Sequence, residues 1–342
     1  MAQITIVTPS YNRAWSIMSC IQSLQVQTFT DYEHLIIDGG STDGTLEILR
    51  KASSADSRIK FISEPDAGMY DAVNKGLRKA TSGILAYLNT DDFYLPQTLE
   101  RVISAFYEKS DVSLVYGHWM SWHPEINFLE MLPVFSYTAA DMTVFAVLPQ
   151  PSVFFRREVF EKLGGFDLSY KLLADNDFFS KAVVAGFKCI RIDDYLSIQT
   201  VHSGNLLAGN STAVLLAQDE GERYRVERLQ QLTKNKSQLN LKLLLLLASI
   251  KKRFLPITWR LNLIRRLVTS VIPGTAEYRL KLLAINGRVK SILALVEYLT
   301  ARNERHRFAF YKVGHSDIAS CLGFSLPTIE VGSTNPASDV QK

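Results

Sequence analysis

The sequence predicts an α/β fold: a mixed, mostly parallel sheet flanked by helices, followed by an α-helical C-terminal appendage. Three observations predict it. Short apolar runs rich in β-branched residues alternate with segments of helical period through about the first 120 residues, the pattern of βαβ units. Three of those runs end in clusters of hydroxyls, glycines and acids. Beyond about Leu215 the pattern becomes almost entirely helical, broken at Pro256 and at Pro273-Gly274.

Each element follows in order. "ITIVT" (4–8) reads as a buried strand, and Ile17, Ile21 and Leu24 then share one helical face. "YEHLIID" (32–38) is the second strand, and the turn Ser41-Thr42-Asp43-Gly44 is suited to start the helix "TLEILRKA". "RIKFIS" (58–63), a helix over Met69–Ala80, the strand "GILAYL" (83–88), a helix over Gln97–Tyr107 and the strand "VSLVYG" (112–117) continue the alternation. Between Trp119 and Pro151 the period loosens and reads as loop and edge strand; the aromatic residues of Tyr116–Tyr137 suit either a substrate cleft or core. "SVFFRREVFEKLGGFD" (152–167) gives a strand, a short helix and a Gly-Gly turn, followed by a helix over Asp175–Ala185 and the strand "FKCIRI" (187–192).

The length of 342 residues exceeds one ordinary core, so the expected division is a catalytic domain over 1–215, a basic amphipathic helical region over 216–312 and a tail over 313–342. A hydrophobic fraction of 47% with 21% charged residues excludes a disordered chain. Cys20, Cys189 and Cys321 are far apart, with no Cys-x-x-Cys pair, which argues against cysteine-bound zinc or dithiol chemistry and for a reducing compartment. "MAQITIVTPS" has no basic n-region or long apolar run, so a cytoplasmic location is expected.

In parallel α/β sheets, ligands bind at the carboxyl ends of the strands. Those ends here are "TPSYNR", "DGGSTDGT" and "NTDD", which would bring Thr8, Tyr11, Asp38, Asp91 and Asp92 to one crevice. Paired acids there suit a hard divalent cation, Mg²⁺ or Mn²⁺, that shares oxygen ligands with a nucleoside diphosphate. Taken alone, the pair also suits the start of the helix after Pro96. Asp175 begins a predicted helix, where backbone amides favour an anion and an N-cap would also sit; Asp177 is the alternative general base. Asp66 and Asn74 flank the same side, with Gly68 turning the chain into its helix, although Asp66 also fits a turn and Asn74 a polar helix face. His202, in "VHSGN", is either a loop residue reaching the metal or a solvated one.

Together "TPSYNR", "IIDGGSTDGT", "EPDAGMYDAVNKGL", "ILAYLNTDD", "QPSVFFRREVFEKLGGFD" and "ADNDFFSKAVVAG" resemble, in order and spacing over about residues 2–205, the family 2 glycosyltransferases of bacterial envelope-polysaccharide pathways. The resemblance implies a Rossmann-like GT-A fold, a divalent metal and inversion at the anomeric carbon. Carried over by motif position, Thr8, Pro9, Tyr11, Asp38, Asp66, Asn74 and Asp91 would contact the donor nucleotide, with Tyr11 and Asp38 on base and ribose. Asp92 would be the chief metal ligand with Asp91 beside it, His202 a further ligand, and Asp175 the base. Two departures stand out: Asn89-Thr90-Asp91-Asp92 replaces the frequent Asp-x-Asp, and Ser180-Lys181 replaces a frequent Leu-Arg on the acceptor side.

The expected activity is inverting transfer from a nucleoside-diphosphate sugar, a UDP-sugar favoured, to a hydroxyl of a lipid-linked or polysaccharide acceptor. The alternatives are a nucleotidyltransferase acting on sugar phosphates and a catalytically inactive nucleotide-sugar-binding protein. Between Lys234 and Phe310 stand 16 Lys and Arg against 3 Asp and Glu. "LKLLLLLASIKKRF" (241–254) is shorter than the roughly 20 residues a membrane span takes. With the face Ile257, Leu261, Ile264, Val268 and Val271 it suits the surface of an anionic membrane, set against a helical cap packed on the catalytic domain. No nucleic-acid module surrounds these charges, so the expected place is the cytoplasmic face of the inner membrane.

Overall fold

A computed structural model of the chain describes residues 2–126, 128–132, 134–144, 147–205 and 211–235, the short stretches 310–312 and 322–324, and the single residues 246 and 249. The first half alternates as expected. β1 (Ile4–Ser10) leads to α1 (Ile17–Gln25), β2 (Tyr32–Asp38) to α2 (Thr45–Ala55), and β3 (Ile59–Ser63) to α3 (Met69–Lys79), closing on β4 (Ile84–Tyr87). Every residue of β1 is buried, as suits a strand covered on both faces. The two faces divide β2 by its period of two: Ile36 packs with Ile17 and Ile21 of α1 and Leu49 of α2, whereas Leu35 and Ile37 pack with Tyr70, Val73 and Leu77 of α3. α3 therefore covers the opposite face from α1 and α2.

The chain continues through β5 (Phe93–Tyr94), α4 (Thr98–Glu108), β6 (Leu114–His123), β7 (Phe128–Leu132), α5 (Ala139–Val144), β8 (Val153–Arg156), α6 (Arg157–Leu163), α7 (Ala174–Val184), β9 (Cys189–Thr200), α8 (Ser211–Asn235) and β10 (Phe310–Lys312). The sheet runs β10-β7-β6-β8-β4-β1-β2-β3, with β9 joining β5 to β6. β3, β2, β1 and β4 are parallel, and β8 joins β4 antiparallel. Register pairs Ser10 with Asp38 and Asp38 with Ser63, so the carboxyl ends of the first three strands share one edge.

One expectation needs correction. The stretch after Trp119 is not mainly loop: β6 runs on to His123, with β7 and α5 following. β6 is paired with β7, β8 and β9, so polar His118 and Ser121 are buried along with Trp122 and no binary pattern marks the strand. Tyr116 and Tyr137 stack 6.3 Å apart, and the Tyr116 hydroxyl donates to the Phe135 carbonyl at 2.7 Å, so this pair is packing rather than an open cleft. The boundary expected near 215 falls inside α8, which buries Glu220, Tyr224, Arg228 and Leu232 and packs with α5 and α7. Part of the expected tail is also anchored, since Leu322 and Phe324 pack with Phe93, Trp122 and Ile198, while β10 pairs antiparallel with β7. The expected amphipathic segments at 241–254 and 257–271 lie outside the described residues, apart from 246 and 249.

Candidate active site

The loops that follow β1 and β2 are knitted into one wall of the crevice. The Asn12 N–H donates to Ser41 Oγ at 2.7 Å, Arg13 N–H to Thr45 Oγ1 at 2.9 Å, Ala14 N–H to Asp43 Oδ2 at 2.9 Å, and Thr42 N–H to Asn12 Oδ1 at 2.9 Å. Asn12 adopts φ 51°, a left-handed turn that asparagine tolerates better than most residues. This wall leaves the Tyr11 side chain 44% exposed.

Four residues expected on the donor side serve that wall from behind. Thr8 and Pro9 are buried, and Thr8 Oγ1 lies 2.9 Å from His34 Nε2 within the sheet. Asp38 is fully buried, accepting from the N–H groups of Gly40 (3.0 Å) and Ser41 (2.9 Å) and from the hydroxyls of Ser41 (2.5 Å) and Ser63 (2.8 Å). Its oxygens fix the turn that follows β2. Asn74 spends its amide on the backbone of Phe166, donating to the carbonyl at 2.8 Å and accepting from the N–H at 2.9 Å. That clamp is tight: a Cβ on Gly165, already at φ +95°, would lie 2.6 Å from Asn74 Oδ1.

Asp66 does face the crevice. Its Oδ1 accepts from Gly68 N–H at 2.8 Å, and a Cβ on Gly39 would fall 2.7 Å from Asp66 Oδ2 and 3.3 Å from the Tyr11 ring. Tyr11, Gly39 and Asp66 thus converge on one small region, and partial burial pushes the Asp66 carboxyl above its ordinary pKa.

At the end of β4 the two adjacent acids divide. Asp92 is buried, its Oδ1 accepting from Thr200 N–H at 3.1 Å and its Oδ2 from Asn89 Nδ2 at 3.3 Å. Burial, and then the neighbouring Asp91, hold its carboxyl well above the usual range. Asp91 is only partly covered, with Oδ2 3.1 Å from His202 Nε2 and 3.4 Å from Asn205 Nδ2. Gly204 N–H donates to His202 Nδ1 at 3.0 Å, so the proton of a neutral imidazole sits on Nε2 and points at Asp91. His202 in this geometry orients Asp91, and Trp15 backs its ring edge-on at 5.1 Å. Gln150 supports the same turn, donating to the Tyr87 carbonyl at 2.8 Å and lying 3.3 Å from Asn89 Nδ2.

This region fits a hard cation. Two carboxylates stand side by side, and among the described residues neither has a Lys or Arg ion-pair partner within 4.0 Å, so a divalent ion would relieve their repulsion. No set of three or more His, Cys, Asp and Glu side chains converges on a metal position among the described residues.

Asp175 stands in the first turn of α7. The Tyr70 hydroxyl is 3.1 Å from its Oδ1 and 2.8 Å from the Leu172 carbonyl, the Tyr87 hydroxyl is 3.4 Å from its Oδ2, and Asn176 N–H donates to Oδ1 at 2.8 Å. Burial raises the carboxyl to about 6, partly offset by these hydrogen bonds. Asp177, the alternative base, is instead locked in a buried ion pair, 2.6 Å from Arg228 of α8. Sequence reasoning did not single out Gln150, Tyr70, Tyr87 or Glu220. Gln150 alone left a signal, a polar residue at the head of the apolar run "PSVFF".

Known proteins share this chain's sequence family and its fold. The family described as "Glycosyl transferase family 2" matches residues 5–164. A Mycobacterium bovis protein named "PGL/p-HBAD biosynthesis glycosyltransferase" is 33% identical over 177 residues, covering 51% of this chain and 67% of the relative. In fold, S. aureus TarS 1-349 in complex with UDP is similar at TM-score 0.54 and 17% identity, covering 72% of this chain and 70% of that one. The mannosyltransferase PcManGT from Pyrobaculum calidifontis, in complex with GDP-Man and Mn²⁺, has TM-score 0.53 at 18% identity over 88% of both chains. The parallel sheet, the crevice at its carboxyl edge and this kinship agree: the chain is a GT-A enzyme belonging to glycosyltransferase family 2.

Proposed function

We propose that the enzyme moves a sugar from a nucleoside-diphosphate donor, a UDP-sugar favoured, to a hydroxyl of a lipid-linked or polysaccharide acceptor, with inversion at the anomeric carbon. The observation that carries the reading is Asp175, a carboxyl at about 6, held by two tyrosines at the start of α7. A base with that pKa is ionised at neutral pH yet takes a proton readily. As the acceptor oxygen bonds to the anomeric carbon, its proton passes to Asp175 and the diphosphate leaves from the opposite face with the bonding pair. One displacement gives one inversion.

Asp66 supports the donor choice. A carboxylate accepts from a ring N–H, as uracil, thymine and guanine offer on their pairing edges and cytosine does not. UDP in TarS and GDP-Man in PcManGT are consistent with that class. Mn²⁺ or Mg²⁺ would be held by Asp91, with Asp92 behind it, and would neutralise charge on the departing diphosphate. This reverses the expected ranking of the two acids: Asp91 is the accessible one, and Asp92 anchors the turn to β9.

Thermal unfolding with UDP, GDP, dTDP, CDP and CMP, each with and without Mn²⁺, tests the donor side. One diphosphate is expected to stabilise the fold only with metal, by about 2.7 kcal/mol at a hundredfold excess over its Kd. Asp91→Asn is expected to abolish that stabilisation and Asp92→Asn to keep it. The opposite pattern would return the ion to Asp92, and no response to any nucleotide would remove the donor assignment.

A further inference from the structure

Glu220 has an unusual set of partners for a carboxylate on a long helix. It is 2% exposed, and it accepts three backbone hydrogen bonds from a loop 47 to 49 residues upstream: Lys171 N–H at 2.6 Å to Oε1, with Leu172 N–H at 3.0 Å and Leu173 N–H at 2.9 Å to Oε2. These are the last amides before α7, whose start has no side-chain cap of its own. A chain of contacts leads on to the base. Leu172 donates its N–H to Glu220 and accepts at its carbonyl from the Tyr70 hydroxyl, and that hydroxyl divides its one proton between Leu172 and Asp175 Oδ1. The helix carrying Glu220 lies outside residues 5–164, the span that matches the family.

Resting on the glycosyl-transfer reading above, we propose that Glu220 is a positioning residue for the reaction, setting the Leu172 peptide and, through Tyr70, the placement of the Asp175 carboxylate against the acceptor hydroxyl. It touches no substrate. The three hydrogen bonds fix the loop in place, because a charged acceptor with three converging amides has one arrangement that satisfies all of them. Sub-ångström placement of a base governs proton transfer far more than it governs donor affinity. A purely structural role predicts something else: general loss of stability, with kcat and donor KM changing together.

The groups that face Asp175 fix the direction of a second readout. They are Tyr70 of α3 and Tyr87 of β4, which hydrogen-bond it, and Tyr224 of α8, while Glu220 of α8 acts on Tyr70. Removing the Glu220 charge takes away an anion that weakens the Tyr70 hydroxyl as a donor, and a loosened Leu172 frees that proton for Asp175. Both changes favour the ionised carboxyl, so the acid limb of activity moves to lower pH.

The test measures nucleotide release from UDP-N-acetylglucosamine, UDP-glucose and GDP-mannose with Mn²⁺ for the full chain, Glu220→Gln, Glu220→Ala and Asp175→Asn, together with the thermal shift that UDP and GDP give each variant. Glu220→Ala is expected to lose roughly ten- to a hundredfold in kcat, with donor KM and nucleotide-induced shift unchanged. Glu220→Gln, which retains an acceptor oxygen, is expected to recover part of the rate while its acid limb still moves down. A folded Glu220→Ala with kcat within twofold of the parent, or a Glu220→Gln whose limb does not move, overturns the positioning role and leaves the glycosyl-transfer reading standing. A parent chain that neither binds nor turns over any of the donors overturns that reading, and the positioning role with it.

Discussion

Asp175 carries two demands that pull against each other. It must be ionised to act as a base, yet burial holds its carboxyl at about 6 against an ordinary value of 3.8. The native state therefore binds this proton more tightly than the unfolded chain does, and stability contributed by the protonated form is lost as pH rises from about 4 to about 6. Asp175→Asn should accordingly be more stable than the parent above pH 6, by roughly 1–2 kcal/mol, with the difference vanishing near pH 4. The same variant should lose a factor of about 10² to 10⁴ in kcat, and the parent's rate should fall below about pH 6 as the base is protonated. Denaturant melts at pH 4.5 and 8, with a pH–rate profile, check both halves; an Asn variant that turns over normally would dismiss Asp175 as base. At this scale the sequence marked acids well and their facing poorly. Asp38, Asp66, Asp91 and Asp92 all follow strand ends, but only hydrogen-bond partners separate the buried anchors Asp38 and Asp92 from the accessible Asp66 and Asp91.

Among the elements, α8 does most to complete the fold beyond the expected sheet. Arg228 is 2% exposed and bonds Asp177 at 2.6 Å and Gln231 at 2.5 Å, while its Nε has no hydrogen-bond partner among the described residues. Removing one member of such a pair leaves the other charged in a dry site. Arg228→Met alone is therefore expected to cost about 3–5 kcal/mol, whereas Asp177→Leu with Arg228→Met should recover most of it. Urea unfolding of the three variants checks this, and a single variant as stable as the double would mean that the pair is not buried in solution. The early βαβ elements were legible because each strand is short, apolar and closed by a polar turn. β6 was half legible because its second half buries His118 and Ser121 between neighbouring strands, and α5 was not legible at all. α8 was legible as a helix but not as part of the catalytic body, because its attachment rests on Glu220 and Arg228 meeting partners far away in sequence.

For the whole molecule, the distribution of charge raises the remaining question. The 38 Lys and Arg nearly balance the 34 Asp and Glu, yet sixteen of the basic residues fall between Lys234 and Phe310. On either side of that segment the chain is tied to the catalytic body, by α8 before it and by β10 with Leu322 and Phe324 after it. No helix among the described residues is long and apolar enough to cross a membrane; the basic segment lies outside them, and its apolar run over 241–254 is shorter than the roughly 20 residues a span takes, so the attachment proposed for it is interfacial. Near an anionic surface each Lys or Arg contributes about 1 kcal/mol, and the effect is screened by salt. Deleting the chain from residue 240 would confuse the result, because it also strips β10 from β7 and Leu322 and Phe324 from their cluster. Exchanging Lys251, Lys252, Arg253, Arg260, Arg265 and Arg266 for Gln removes six positive charges and keeps β10, Leu322 and Phe324 in the chain. Full-length protein is expected to sediment with phosphatidylglycerol vesicles at low salt, to be released as salt rises, and to ignore phosphatidylcholine. The six-Gln variant should stay in the supernatant throughout with an unchanged melting temperature. If the parent also stays in the supernatant at low salt, the membrane assignment fails and the basic segment is better read as a helical cap on the enzyme, with its charges in water.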